Sequence, residues 1–269
     1  MDTTANNAEA GLDKDAWLDL TSELDEWARQ GLTASFWWRD DDAITTGPQL
    51  THLLELSGKY QAPVGLAVVP AKADDRLASA VYDHNHAYVL QHGYAHINHA
   101  AGTDVKGAWE LGLQRPLDTV LAELEAGRVL LDRLIDGDRF VPVVVPPWNR
   151  IDPAVIEHLA GLGFVGLSTC DARPGRDAAP GLRLVNVHCD PIKWKGGARF
   201  TGTRKAISFL TDHLSAKRTG LADPEEPTGY ITHHAVHDDA IWAFSETLIG
   251  LLHASPAARF VSPKEAFSQ

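Results

Sequence analysis

Cysteine is nearly missing from this sequence: Cys170 and Cys189 are the only two. Thiols so few and so far apart support neither a disulfide scaffold nor a cysteine-rich zinc module, and they read as buried thiols. Positive charge is also scarce. Lys and Arg number 24 against 36 Asp and Glu, a formal net charge of -12, which leaves no basic stripe for a phosphate backbone and no attraction to anionic membrane surfaces. Nucleic acid is therefore not an expected partner. No uncharged apolar run is long enough to span a bilayer, and the opening MDTTANNAEAGLDKD has neither a basic nor an apolar leader region, so a cytoplasmic location is expected. Internal repeats and low-complexity linkers are absent as well. With 269 residues and 44% hydrophobic content, the chain can bury one large core. The expected division is a helical extension over 1–32 and a single domain over 33–269.

What is present is an alternation of short apolar runs with longer amphipathic ones. Trp17, Leu18, Leu20, Leu24 and Trp27 recur at helical spacing and predict a lead-in helix over 14–30 that docks on the exterior of the domain. Strand-like runs follow at 33–39, 63–69, 87–91, 140–145, 164–167, 184–188, 229–233 and 258–261. Most lack period-two alternation, the pattern of parallel strands buried on both faces. Helices are expected after Gly47-Pro48, up to Leu77, over 117–134, from the Asp152-Pro153 cap, over 203–216 and over 239–253, with a Ser262-Pro263-Lys264-Glu265 capping box near the end. The stretches 171–181 and 221–227 read as surface loops. So many strand–helix repeats in a chain of this length predict an α/β fold, a distorted barrel of seven or eight β/α units.

Chemistry gathers where the apolar runs stop. LQHGYAHINH at 90–99 places His92 and His96 four residues apart, so that both imidazoles can reach one divalent ion from the same side of a turn. FWWRDDDA at 36–43 ends a strand in three carboxylates, Asp40, Asp41 and Asp42, which offer an oxygen ligand and a general base. VPVVVPPWNR ends in Pro146, Pro147 and Trp148, two prolines stiffening a loop that carries an indole. VNVHCDPIKW supplies His188, Asp190 and Trp194, and GYITHHAVHDD supplies His233, His234 and His237. His84, His86 and His213 read as surface residues without a role.

Taken in order, these five segments resemble the motif set of the polysaccharide deacetylases, the NodB-homology or carbohydrate esterase family 4 group, over roughly residues 33–262. The resemblance implies an Asp-His-His metal site and hydrolysis of N-acetyl or related amides on carbohydrates. It places the general base on Asp40 and the metal ligands on Asp41, His92 and His96, with a one-place shift to Asp41 and Asp42 left open. Zinc suits two His and one Asp, and cobalt, nickel or iron would accept the same ligands. The general acid falls on His233, since Ile231 and His233 share a strand face, with His234 pointing into packing or to a carboxylate. Trp148, Pro147 and Trp194 would line a carbohydrate cleft, and His99, His188 and Asp190 are candidates to support the site. Val145 stands where the family has the arginine that holds its catalytic aspartate. Arg39 and Arg150 could replace that arginine, and Arg150 is preferred for its place just beyond Trp148. Two further readings stay open: an amidohydrolase of non-carbohydrate substrates, and a catalytically silent sugar-binding barrel. Oligomeric state is not legible.

Overall fold

The computed structural model describes residues 3–135 and 137–268; Met1 and Asp2 of the expected extension lie outside them. Helix α1 (Thr3–Arg29) leads into β1 (Ala34–Ala43), α2 (Pro48–Lys59), β2 (Val64–Val68), α3 (Asp75–Asp83), β3 (Ala87–His92), α4 (Leu117–Leu134), β4 (Phe140–Val145) and α5 (Pro153–Leu159). Then come β5 (Gly166–Leu167), β6 (Asp177–Ala179), β7 (Leu182–Leu184), a hairpin of β8 (Ile192–Lys193) and β9 (Arg199–Phe200), α6 (Thr203–Arg218), β10 (Thr228–Thr232), α7 (Asp239–Ala254), β11 (Ala258–Phe260) and α8 (Pro263–Ala266). None of the described helices is long and apolar enough to cross a membrane. The lead-in helix docks through most of its stripe: Leu20, Leu24 and Trp27 join Leu210 and Leu214 in one buried cluster with Trp17 against it, while Leu18 is exposed.

The parallel strands run in the order β10-β1-β2-β3-β4-β5-β7. The expected strand over 184–188 is regular only as β7, but the chain beyond it closes the sheet into a barrel. Val187 bridges Cys170 beyond β5, and Cys189 bridges Tyr230 in β10. His188 N donates to Gly229 O at 2.8 Å and Ile231 N to Cys189 O at 3.0 Å. The approach is so close that a Cβ on Gly229 would lie 2.4 Å from Asn186 O. Strand alternation then sorts the side chains. Trp37, Leu90, Val143, Val145, Val187 and Ile231 fill the barrel interior, while Phe36, Trp38, Val64 and Leu66 face the helices.

A buried carboxylate secures the irregular closure. Glu226 accepts from Asn186 N and Arg173 N, both at 3.0 Å, and the His188 and His213 Nε2 atoms stand 3.4 and 3.5 Å from its Oε2. His213 is thus buried beneath the closing segment, not on the surface as expected from sequence, and the stretch 221–227 carries this buried anchor. Burial, assisted by the charges of His188 and Lys217, depresses His213 to about 4 against the pull of Glu226. Burial alone would raise Glu226, but the two imidazoles and the Arg173 N–H hold it well below the usual 4.5. Both lowered values act in one direction. Stability is full above the unfolded values and is lost as pH falls, first below the ordinary His range and then below pH 4.5. Glu226→Gln must turn an N–H toward a donor, so it should cost about 1–3 kcal/mol at pH 7 and flatten the acid limb of the stability curve. Urea titrations between pH 3 and 8 measure both; an unchanged acid limb would refute this role for Glu226.

Candidate functional site

At the C-terminal ends of the strands lies a cavity of about 610 Å³ lined by Asp41, Asp42, His92, His96, Trp148 and His233, among others. Its wall is strained. Among the described residues six non-glycines have positive φ, and five of them, Asp42, His96, Trp148, Asn149 and Asp171, line this cavity. Such conformations cost about 1–3 kcal/mol each and persist where surrounding structure over-determines them.

The three consecutive aspartates part company. Asp40 shares the outward face of Trp38, is wholly buried, and accepts from Thr232 Oγ1 at 2.6 Å and His234 N at 3.0 Å while ion-paired with His234 Nδ1. Its carboxyl is desolvated, yet His234 holds it below the usual range. Asp41 points inward beside Arg39. After Asp40 the β1–β2 register shifts, and Asp42, at φ 71°, turns to the mouth as well. The carboxylate that meets the imidazoles is therefore that of Asp42, one place beyond the preferred sequence register. Its Oδ1 lies 3.2 Å from Nε2 of both His92 and His96.

These atoms fit a metal ion. His92 Nδ1 lies 2.9 Å from the Val145 carbonyl, which can only accept, so Nδ1 carries the proton and Nε2 offers its lone pair toward Asp42. Ligands about 2.0–2.1 Å from a zinc ion stand roughly 3.3 Å apart on a tetrahedron, close to the spacing here. Without a cation the pair leans on a proton. Burial works against the Asp42 charge, but His92, His233 and His96 pull its pKa down, and Asp42 with Asp41 raises that of His92 against its own burial. His96, desolvated and beside His92, is lowered. A second set of clustered ligand atoms, His188, His213 and Glu226, fails the same test. Gly229 N donates to His188 Nδ1 at 2.8 Å, which leaves the proton on Nε2, the atom that would have to coordinate.

His96 does not lie one helical turn from His92. His92 ends β3, and His96 sits in a loop at φ 55°. Glu110, fully buried, shapes that loop by accepting from Tyr94 N at 3.1 Å, Ala95 N at 2.8 Å and Ile97 N at 3.4 Å. Gly93, at φ 55°, admits this carboxylate because any Cβ there would collide with it and with Pro147. Pro147 thus packs under the loop and does not line the cavity. Glu110→Ala should lower divalent-ion affinity about 10–100-fold, with partial recovery in Glu110→Gln; titration calorimetry with Zn²⁺ and Co²⁺ reads it. Equal affinity in Glu110→Ala would show that the loop holds His96 unaided.

Arg39 accounts for all its donors. Nε and Nη2 form a two-point pair with Asp41 at 2.8 and 3.0 Å, Nη2 also reaches Asn149 Oδ1 at 2.8 Å, and Nη1 meets Ser168 Oγ at 2.7 Å and the Ser168 and Thr169 carbonyls at 3.2 Å. Arg150, preferred from sequence for this task, lies against Gly107 and donates to Ala108 O at 3.3 Å; it reaches the cavity rim but not the aspartate. Across the cavity, Trp194 sets its ring edge-on to His233, centroids 4.7 Å apart, and donates from Nε1 to Asp190 Oδ2 at 2.8 Å. Burial raises the Asp190 pKa despite the His233 charge. Trp148 stands 4.4 Å from the His96 ring. His188 borders the cavity, whereas His99 lies off it. Cys170, expected buried, is exposed at the cavity wall.

Glu110, Asn149, Ser168 and Asp171 escaped the sequence reading because none lies in a run of like chemistry. Arg39 was legible, since residues two apart on a strand share a face.

No family model matches the chain, and no curated protein matches it. Solved structures do. The Bc1960 peptidoglycan N-acetylglucosamine deacetylase is 14% identical, with 90% of this chain and 95% of that one covered at a TM-score of 0.51. The chitin deacetylase of the fungal pathogen Colletotrichum lindemuthianum is 16% identical, with 87% and 88% covered at 0.50. A mutant of BA3943, a CE4 family pseudoenzyme, is 14% identical, with 88% and 68% covered at 0.54. The expected likeness to the carbohydrate esterase family 4 barrel is borne out, and at these identities it establishes the fold.

Proposed function

We propose that this protein is a metal-dependent hydrolase that removes an acyl group from an amide on a carbohydrate. Asp42, His92 and His96 would hold the metal, with zinc the best match to one carboxylate and two imidazoles. The observation that carries the reading is the meeting of Nε2 of both His92 and His96 with Asp42 Oδ1 at 3.2 Å, next to a clamped carboxylate and opposite an imidazole in one cavity. A divalent ion there would polarise the amide carbonyl and make water a better nucleophile at neutral pH.

The remaining chemistry belongs to the chain. Asp41, fixed by the Arg39 fork, accepts the proton of the attacking water as it adds to the carbonyl carbon. His233, on the far side beside Trp194 and Asp190, protonates the departing amine, which leaves poorly as an anion. Trp148 and Trp194, each partly exposed, offer faces for sugar rings. A silent barrel would rest on the arginine missing at Val145, and Arg39 offers a cation to the inward carboxylate in its place.

The test is acetate release from N-acetylglucosamine oligomers by zinc- or cobalt-reconstituted protein, with a chelator-treated control. Release that stops on chelation and returns with metal is expected. No release above an Asp41→Asn control from any oligomer would overturn the proposal.

A further inference from the structure

The end of the barrel away from the metal centre is not filled by hydrocarbon alone. Strand alternation sends Trp37, Val185 and Val261 into the interior, and it sends in Ser35, Arg183 and Arg259 as well, each two residues before one of them. Leu182 and Leu184, on the other face of β7, pack outward with Val120 and Val155. Ser35 and Arg259 are partners in the β1–β11 register. With Arg173 and Arg176 these residues line a cavity of about 230 Å³. Four guanidiniums thus share one pocket in a chain of net charge -12, at a level where small barrels ordinarily place apolar side chains.

The protein's own carboxylates leave much of this charge unmet. Arg173 is satisfied, by Asp223 through Nε and Nη2 and by the Leu184 carbonyl through Nη1. Arg183 is not. It is nine-tenths buried, yet only its Nε is engaged, donating to Asp177 Oδ1 at 3.1 Å, and its Nη1 and Nη2 meet no acceptor among the described residues. Arg176 stands 3.3 Å from Glu225, and Arg259 pairs with Glu265 through Nη1. Asp177, Glu225 and Glu265 are each at least half exposed. A buried guanidinium whose counter-charge sits largely in water is under-compensated.

We propose that this cavity is a binding site for a phosphate group, held by the guanidinium forks of Arg183, Arg176 and Arg259. Such forks match the paired oxygens of an oxyanion, and three of them around one cavity offer more donors than the two oxygens of a carboxylate accept. The volume lies below the about 300–1,000 Å³ of pockets for larger organic ligands, which suits one small oxyanion. Occupancy would tie β7 to β11 and stabilise the fold by mass action. The inference stands apart from the hydrolysis proposed above.

The test uses the full chain passed over chelating resin, so that no metal holds the probe. Calorimetry and thermal melts in inorganic phosphate, with chloride at equal ionic strength as reference, should show one saturable site per chain and a Tm raised by at least about 2 °C. Acetate should not raise it. Arg183→Gln should weaken phosphate binding at least about tenfold, and Arg259→Gln, at a half-exposed side chain, reads the same loss if the first variant does not fold. Glycerol phosphate distinguishes the source: tighter binding than inorganic phosphate assigns the site to a phosphate ester, weaker binding to the free ion. Absence of saturable phosphate binding overturns the site, as does binding that both variants leave unchanged. An equal rise of Tm in acetate and phosphate overturns the class of ligand.

Discussion

Asp41→Asn is expected to slow amide hydrolysis by about 10²- to 10⁴-fold with one divalent ion still bound per chain, whereas Asp42→Asn is expected to lose the ion. The difference follows from partners. Asp41 spends both oxygens on the Arg39 fork and faces the cavity without an imidazole, while Asp42 Oδ1 is shared between two. Asparagine at 42 presents a neutral oxygen and removes the charge that offsets a dication. At 41 it leaves the ligands untouched and removes the proton acceptor. Asp40→Asn is the third arm. Its carboxylate is tied to Thr232 and His234, so the variant should melt earlier and keep both ion and chemistry. Metal analysis of the purified variants beside their hydrolysis rates separates the three. Retention of the ion in Asp42→Asn with its loss in Asp41→Asn would restore the register first expected from the aspartate triplet.

That register shows where sequence reasoning runs out. The alternation of apolar runs and amphipathic helices was legible because burial on both faces writes itself into residue type, and the 117–134 helix and the 140–145 strand stand where their periodicity puts them. His92, His96 and His233 were legible as cavity residues because they stand where apolar runs stop, although the loop that carries His96 is not the turn its spacing suggested. The triplet was not. Three identical carboxylates carry no label, and where each one points depends on a slip in strand pairing after Asp40 and a left-handed residue at Asp42, neither of which leaves a mark in composition. One signal was present. Trp37, Arg39 and Asp41 lie on one face of β1 and Trp38 and Asp40 on the other, so the face carrying the arginine was also the face of the carboxylate it clamps. His213 and the 221–227 stretch were misread for a related reason: an imidazole and a carboxylate buried under an irregular strand look, in one dimension, like any polar helix and loop.

Arg39→Lys is expected to lower kcat by about tenfold or more with KM and metal content little changed, and Arg39→Ala to destabilise the fold by about 3–5 kcal/mol. Both partners of the pair are nearly inaccessible, 0% and 4% exposed. Removing the guanidinium therefore strands a carboxylate in the barrel interior and leaves the Asn149, Ser168 and Thr169 acceptors unsatisfied. Lysine restores the charge but not the planar fork, so Asp41 would keep an ion-pair partner and lose its fixed orientation. Orientation is worth most where a proton moves over a hydrogen-bond distance, and small displacements there cost rate and not binding. The decisive contrast is between the two parameters. A purely structural arginine would lower Tm in both variants and leave kcat of the folded Lys variant near the parent value. An arginine that aims the base must lower kcat even where the fold and the ion are intact. Steady-state kinetics of Arg39→Lys below its melting range, beside metal analysis and a pH–rate profile, distinguishes the two. A parent-like kcat would remove Arg39 from the reaction and return the task of orienting Asp41 to the loop that carries Asn149.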